Sequence, residues 1–341
     1  MPAAHPLVAA ARRVAADVLA PAAEDVDRAD LVPAAHLLAL AGAGLFDLTG
    51  LAPPDTRLVF EALAGACGAT FFVWAQHHAP VGDLAASPNR DLARRWLPPL
   101  RDGRALGGVA FAYLRRPGPP AVVAEPDGAG WRLRGSAPWV TSWGLADGFA
   151  VSAAAPGDRV VTAWLPAERL TPARGATAVP LDLSVMAATG TVRLDLDGVA
   201  VATGDVMADV DAGGWRAADR VGTVSPAPAA LGVAATCARL LGEREPAVAG
   251  AVAAEVDAAR ARGEVLAAPP PGERDLDALA ASRADQLVLA TRAALALVAA
   301  TSGAAVLRSS PAQRLAREAA FYLVQAQVPP VKAAVLDRLA T

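Results

Sequence analysis

Few side chains in this sequence are of the types that bind metals or act as nucleophiles. Its 341 residues include four histidines and two cysteines. His77 and His78 are adjacent, and neighbouring side chains on a helix point about 100° apart, so they do not predict a shared metal site. Cys67 and Cys237 cannot form a disulfide framework, which indicates a reducing, cytoplasmic location. We therefore expect no metal, and the chemistry must come from other residue types.

One segment combines an aromatic ring with hydroxyl groups over a short span. It runs from Gly130 to Ser142 and places Trp139 just before Thr141 and Ser142. By itself the segment predicts a strand, a turn and a second strand, and its hydroxyls could equally lie on an open surface. The signatures of a phosphate-binding P-loop and of a serine-hydrolase elbow are absent, and no G-x-G-x-x-G motif joins a predicted strand to a helix.

The composition is that of a folded chain with a large core. Hydrophobic residues make up 54% and charged residues 19%, which excludes a disordered chain. The net charge of −3 argues against a nucleic-acid partner, which needs a clustered basic face. The longest apolar stretch, Leu287 to Leu307, contains Arg292. Because an arginine at mid-bilayer costs about 3 kcal/mol, this stretch predicts a buried helix, and we expect no membrane contact.

Periodicity and turn signals divide the chain into three parts. Residues 1–104 and 207–341 show apolar residues at helical spacing, whereas residues 105–206 show short alternating stretches between turn signals. The predicted fold class is α+β, mainly α. It comprises an N-terminal helical domain (1–104), a middle antiparallel β-barrel or sandwich domain (105–206) and a C-terminal helical bundle (207–341).

Some element boundaries can also be read from caps and prolines. We predict a helix over residues 7–26 in which Pro21 marks a bend or a new first turn, and a helix over residues 56–66 with Asp55 as its N-cap. A strand is predicted over residues 107–114, and a long helix over residues 275–307.

The order of these parts and several motifs resemble the acyl-CoA dehydrogenase family. Trp131 to Ser142 resembles that family's "w-LnG-K-WiTn" strand, and Trp96 to Leu100 resembles its approach to the β domain. Ala230 to Ala234 resembles the "alGia" helix of the bundle, and Arg314 to Ala319 resembles the "Rl-RDa" motif near the C-terminus. The resemblance covers nearly the whole chain.

The resemblance implies a cofactor, a substrate class and an assembly. The cofactor is FAD, and the substrate is an acyl thioester of CoA or of a carrier protein. The family forms oligomers with FAD at a subunit interface, which implies a homodimer, a homotetramer or a hetero-oligomer with a paralogue. Trp139 would pack on the flavin, Thr141 would hydrogen-bond its N5/O4 edge, and Val140 and Ser142 would supply flanking contacts. Arg244 would reach the FAD of a neighbouring subunit.

The sequence departs from the family at the position of the general base. The catalytic glutamate of the family falls on Ala326, and the family's alternative glutamate falls near Gly222 and Thr223. A missing general base typically lowers a rate by about 10²–10⁴-fold. Tyr322, one helical turn before Ala326, and His77, on the helix that lines the acyl pocket in the family, are candidates for a replacement base.

A second departure lies near the expected cofactor. The stretch Ala112 to Pro119 replaces the family's "T-E-P-x-x-G-S-D" motif and has lost its threonine and serine hydroxyls. It adds Arg115 and Arg116, whose charges could offset a pyrophosphate or lie on an exposed turn. Glu318 takes the place of a family aspartate and is expected to belong to a structural ion pair.

Three functional hypotheses follow from the resemblance and the departures. The first is α,β-dehydrogenation of an acyl thioester with hydride transfer to FAD. The second is a catalytically degenerate subunit that partners an active paralogue, because both glutamate positions are lost. The third is a flavin-dependent monooxygenase of the same fold, which needs no base for the α proton.

Overall fold

The computed structural model describes residues 5–340, and in that range six α-helices precede the first strand. They are α1 (Pro6–Val14), α2 (Ala20–Asp27), α3 (Ala34–Gly42), α4 (Pro53–Ala66), α5 (Gly68–Ala86) and α6 (Arg90–Arg101).

The N-terminal helices begin and end close to the predicted positions, with one correction. A π-helical turn over Ala15–Leu19 joins α1 to α2, so residues 7–26 form a nearly continuous helix. The predicted cap at Asp55 is wrong. Pro53 and Pro54 already occupy the first helical positions of α4, where a missing N–H costs nothing, and Ala52 is the N-cap.

Eight strands form one sheet in the middle of the described chain. They are β1 (Gly107–Ala110), β2 (Val122–Asp127), β3 (Gly130–Val140), β4 (Gly148–Ala155), β5 (Arg159–Pro166), β6 (Ala176–Pro180), β7 (Val192–Val201) and β8 (Val206–Asp211). The order is β6-β7-β3-β2-β4-β5-β8, with β1 beside β4. The sheet thus continues past residue 206 to Asp211.

The sheet is mixed and not purely antiparallel as predicted. β1 and β2 both run parallel to β4, whereas the other neighbours are antiparallel. The parallel pairing of β1 with β4 needs a long crossover, which the β2–β3 hairpin supplies. The strand predicted over residues 107–114 ends at Ala110, because Ala112–Arg115 forms a 3₁₀ turn.

Six further α-helices follow the sheet within the described residues. They are α7 (Ala212–Thr223), α8 (Pro228–Leu241), α9 (Pro246–Ala267), α10 (Leu276–Thr301), α11 (Pro311–Val324) and α12 (Pro329–Ala340). The helix predicted over residues 275–307 ends at Thr301, because Ser302 has a φ of 58° and a 3₁₀ turn follows.

Helix α8 packs tightly against α4 and so joins the C-terminal bundle to the N-terminal helices. At the crossing, a Cβ on Gly232 would lie 2.2 Å from the carbonyl oxygen of Glu61, and one on Gly65 would lie 2.5 Å from that of Gly232. Only glycine permits this approach of the two backbones.

Two segments, Ala212–Leu241 and Leu276–Val306, are long and apolar enough to cross a membrane by length and composition. The first comprises α7 and α8, and 61% of its apolar window is buried. Only 33% of the window in α10 is buried, so the helix predicted to be buried exposes one side. That side carries Leu295, and Val306 and Leu307 follow it.

Candidate functional site

The exposed aromatic ring predicted to contact a cofactor lies at a bulge near the end of β3. The pairing of β3 with β7 changes register between Ala137 and Val140. Trp139 lies in this bulge with a φ of 63°, a conformation that costs a non-glycine residue about 1–2 kcal/mol. Trp139 is 52% exposed, whereas Ala137 and Val140 are fully buried. The backbone therefore holds the indole ring at the surface in a strained conformation.

Three threonine hydroxyls form a chain directly after this bulge. Thr141 Oγ1 lies 3.2 Å from Thr191 Oγ1, which lies 2.8 Å from Thr189 Oγ1. Thr189 in turn donates to the carbonyl oxygen of Met186 at 2.6 Å. Thr141 is 4% exposed and Thr191 8% exposed, whereas Thr189 is fully buried, so the little exposed surface of these three residues lies at Thr141 and Thr191.

Ser142 is part of the framework behind this surface. It has a φ of 70°, and its backbone N–H donates to the Thr189 carbonyl oxygen at 2.8 Å. Its Oγ is buried, and no group in residues 5–340 bonds it. Val140 and Ser142 expose no surface, so the exposed surface of this segment belongs to Trp139 and, by a small fraction, to Thr141.

The stretch that replaces the family's hydroxyl motif forms an ion pair with α7. Arg115 donates to both carboxylate oxygens of Asp219, at 2.9 and 2.7 Å, and to Thr223 Oγ1 at 3.1 Å. Its guanidinium also lies 5.0 Å from the ring centre of Phe111. The Arg115 charge is therefore neutralised within the chain, while Arg116 is exposed.

Neither position of the family's general base carries a carboxylate in this chain. Ala326 follows the end of α11, is half-buried and has a φ of 51°. Thr223, at the alternative position, is buried and bonded to Arg115. Asp219 is a carboxylate close to this position, because it shares the Arg115 guanidinium with Thr223. No sequence motif pointed to Asp219.

The two candidate replacement bases are enclosed by the protein. His77 has no exposed surface, and its Nδ1 accepts a hydrogen bond from the Gly107 N–H at 3.0 Å. Burial lowers the pKa of His77 to about 4. Tyr322 is also buried, its hydroxyl has no partner among the described residues, and burial raises its pKa. Both side chains are therefore enclosed by the protein, and a role for either of them as the base stays a prediction.

Glu318 lies in the buried ion pair that its position suggested. Both of its carboxylate oxygens bond Arg314, at 2.9 and 3.1 Å, and one accepts from the Gly68 N–H at 3.3 Å. Burial raises the pKa of Glu318 in spite of the neighbouring guanidinium. This pair fastens α11 to the start of α5.

One stripe of α5 remains open although most of the helix is buried. It consists of Phe72, Ala75, Gln76 and Ala79, which recur at helical spacing. Phe72 packs edge-on against Phe321 of α11, with ring centres 4.9 Å apart. The stripe therefore lies next to the helix that leads to Ala326.

The remaining predicted residue, Arg244, lies on the surface in the turn between α8 and α9. Its closest charged neighbour is Glu243, at 3.8 Å, and no described contact joins it to Trp139 or Thr141. This exposure leaves the guanidinium accessible to another molecule.

No group of three or more His, Cys, Asp or Glu side chains within residues 5–340 is placed to hold a metal ion. A groove of about 700 Å³ lies between α1, α4 and α8, with Arg12, Gly65 and Arg239 among its lining residues. None of the predicted site residues lines this groove.

Comparison with known proteins identifies relatives of the chain and of its fold. Residues 2–104 match the family model described as acyl-CoA dehydrogenase, N-terminal domain. The chain superposes on butyryl-CoA dehydrogenase from Megasphaera elsdenii with a TM-score of 0.81 and 16% identity, covering 98% of this chain and 97% of that one. No curated protein matches the sequence.

Two other solved structures share the fold. One is glutaryl-CoA dehydrogenase from Mycobacterium smegmatis, with a TM-score of 0.79, 18% identity and coverage of 98% of this chain and 93% of that one. The other is dibenzothiophene monooxygenase from Paenibacillus sp. A11-2, with a TM-score of 0.78, 17% identity and coverage of 97% and 95%. At such identities the likeness shows the fold alone.

Proposed function

We propose that this chain, which carries the N-terminal domain of the acyl-CoA dehydrogenase family and shares the fold of butyryl-CoA dehydrogenase over its whole length, is an FAD-dependent oxidoreductase of acyl thioesters. The observation that carries the proposal is Trp139, an aromatic ring held half-exposed in a strained backbone conformation. Strain of this kind persists where the surrounding structure requires it, and it clusters at ligand sites.

The residues at the bulge fit an isoalloxazine ring. Trp139 offers a flat apolar surface, and Thr141 offers a hydroxyl beside it. When bound, FAD accepts the hydride from the β carbon of the acyl group. Val140 and Ser142 expose no surface, so their part is to hold Trp139 and Thr141 in place. Arg244 is exposed, as a residue that contacts the FAD of a second subunit must be.

The chain's own contribution to proton removal is small. Ala326 cannot accept a proton, and Tyr322 and His77 are enclosed. We therefore expect a slow reaction on substrates with ordinary α protons, and a faster one where the α proton is already acidic. We place the acyl chain on the open stripe of α5, which packs against α11, with Phe72 and Phe321 forming an apolar wall.

Ala326→Glu tests the reaction, because it installs a carboxylate without a new backbone penalty. Ala326 is already a non-glycine residue in the left-handed region, and it is half-buried. We expect the variant to bleach bound FAD with acyl-CoA thioesters about 10²–10⁴-fold faster than the wild type under anaerobic conditions. Ala326→Gln, of equal size but without a base, is the matched control. If the glutamate variant binds FAD and no acyl thioester bleaches it, the proposed reaction is wrong.

A second candidate is a monooxygenase that uses reduced flavin and oxygen. The enclosure of both candidate bases favours it, because this chemistry removes no α proton. Oxygen consumption that depends on substrate, NADH and a flavin reductase would support it, and the absence of such consumption across aromatic and acyl substrates would exclude it.

We further propose that the chain forms oligomers and is cytoplasmic. The exposed side of α10, with Leu295, Val306 and Leu307, is an apolar face that a second subunit would cover. Light scattering of the purified protein tests the oligomeric state. A monomer at micromolar concentration, with or without FAD, would contradict it.

A further inference from the structure

The chain of hydroxyls behind Trp139 has a direction that can be derived from its end point. We call it the threonine relay, and it consists of Thr141, Thr191 and Thr189, ending on the Met186 carbonyl oxygen. A hydroxyl has one proton to donate, and a carbonyl oxygen can only accept. No other side chain of the described residues bonds these three hydroxyls.

Because the Met186 carbonyl oxygen can only accept, it determines the direction in which each threonine hydroxyl donates. Thr189 must donate to Met186, at 2.6 Å, so its oxygen can only accept from Thr191 at 2.8 Å. The Thr191 proton is then used, and Thr141 must donate to Thr191 at 3.2 Å. Reversing any link would place two lone pairs against each other. Thr141 is therefore left with lone pairs only on its outer side.

The surroundings keep the relay in this orientation. Thr189 has no exposed surface, so water cannot replace the Met186 carbonyl as its acceptor. That carbonyl is fixed in a turn over Ala187–Thr189, in which Met186 and Gly190 have φ values of 60° and 58°. The same oxygen also accepts from the Thr189 N–H at 3.0 Å. Thus the end of the relay does not depend on a rotatable group.

We propose that the threonine relay makes Thr141 a hydrogen-bond acceptor toward the cofactor, and that it thereby favours reduced over oxidised flavin. This inference rests on the proposed contact of Thr141 with the N5 edge. Oxidised flavin presents a lone pair at N5, which an acceptor opposes, whereas reduced flavin presents an N–H, which an acceptor bonds. Thr189 and Thr191 are thus positioning residues that act through Thr141 and raise the reduction potential of bound FAD.

The reduction potential of the FAD-loaded protein tests the relay. Thr191→Val removes the acceptor of the Thr141 proton and frees that hydroxyl to donate to oxidised N5. We expect the equilibrium between reduced and oxidised flavin to fall about tenfold, a potential lower by about 30 mV for two electrons. Thr189→Val, which frees the Thr191 proton for Thr141, should lower the potential in the same direction. Thr191→Ser retains the hydroxyl and should restore the wild-type value.

Thr162→Val is the matched control, because Ser152 and Thr162 form a buried hydroxyl pair of the same kind at 2.8 Å in β4 and β5. It should leave the potential unchanged. Thr191→Val with stoichiometric FAD and an unchanged or raised potential overturns the relay while leaving the proposed function intact. A wild-type chain that binds no FAD overturns the proposed function and the relay's role together, so the two failures are distinguishable.

Discussion

Substitutions of Trp139 separate the backbone strain at the bulge from the contribution of its ring. Trp139→Ala removes the ring but keeps a non-glycine residue at a φ of 63°. Trp139→Gly removes the ring and also the backbone strain. Because that φ costs a non-glycine residue about 1–2 kcal/mol, the glycine variant should be the more stable of the two by about 1 kcal/mol. Elsewhere in a strand, glycine is the less stable choice.

The ring itself should determine FAD affinity. Buried tryptophans cover roughly 150–250 Å², and Trp139 is 52% exposed, so a flavin can cover on the order of 100 Å² of it. At about 25 cal/mol per Å², this contact contributes about 2.5 kcal/mol. Both variants should therefore bind FAD about 50–100-fold more weakly than the wild type.

Two measurements check these values. Urea unfolding of the FAD-free variants gives the stability difference, and quenching of flavin fluorescence gives the dissociation constants. Trp131→Ala is the matched control, since Trp131 lies on the same strand, is half-buried and pairs regularly with Val201. FAD binding of Trp139→Ala at wild-type affinity would refute the ring contact. A glycine variant less stable than the alanine variant would refute the strain.

The remaining predictions concern the packing and the pH dependence of the fold. Gly232→Ala should destabilise the protein by about 1–3 kcal/mol, because its Cβ would lie 2.2 Å from the Glu61 carbonyl oxygen. The exposed Gly250 of α9 has nothing within 4 Å, so Gly250→Ala should instead raise the melting temperature by removing a helix glycine. If both variants shift the melting temperature in the same direction, the glycine crossing of α4 and α8 is not what limits position 232. Burial lowers the pKa of His77 to about 4 and of His78 to about 3, against an ordinary 6.5. The unfolded chain therefore binds more protons below pH 6.5, and stability should fall by about 1 kcal/mol per histidine for each pH unit between 6.5 and 4. Urea midpoints at pH 7 and pH 5 measure this loss. His78→Phe should halve it, and equal midpoints at the two pH values would contradict it.

The order of helices, strands and helices could be predicted because it rests on local periodicity. Alternation over Thr191–Leu196 and the apolar spacing of the flanking helices are properties of neighbouring residues. The parallel pairing of β1 with β4 could not be predicted, because it depends on how distant segments meet. The early end of α10 depends on the left-handed backbone of Ser302, for which a serine gives no signal.

In the candidate site, too, features set by neighbouring residues could be predicted and features set by distant segments could not. The segment from Trp139 to Ser142 could be singled out from its residue types and its resemblance, but the bulge that exposes Trp139 depends on pairing with β7. Thr191 and Asp219 were missed because their partners, Thr141 and Arg115, are 50 and 104 residues away in the chain. The spacing of Thr189 and Thr191 around Gly190 is the one local signal that could have drawn attention to the relay.

The identity of a general base was beyond sequence reasoning for a different reason. His77 and Tyr322 occupy helical positions next to half-buried residues of α5 and α11, and periodicity locates such positions only to within about one residue. The structure turns both side chains into the core, where burial shifts the pKa of His77 down and that of Tyr322 up.

The amount of flavin that the purified chain retains tests the central claim most directly. The protein is incubated with excess FAD, passed over a gel-filtration column, and its visible absorption is compared with its protein concentration. We predict about one FAD per chain, with flavin fluorescence quenched by Trp139. A colourless protein that emerges folded, with no flavin in its peak, would contradict the claim and would point to a subunit that serves an active paralogue.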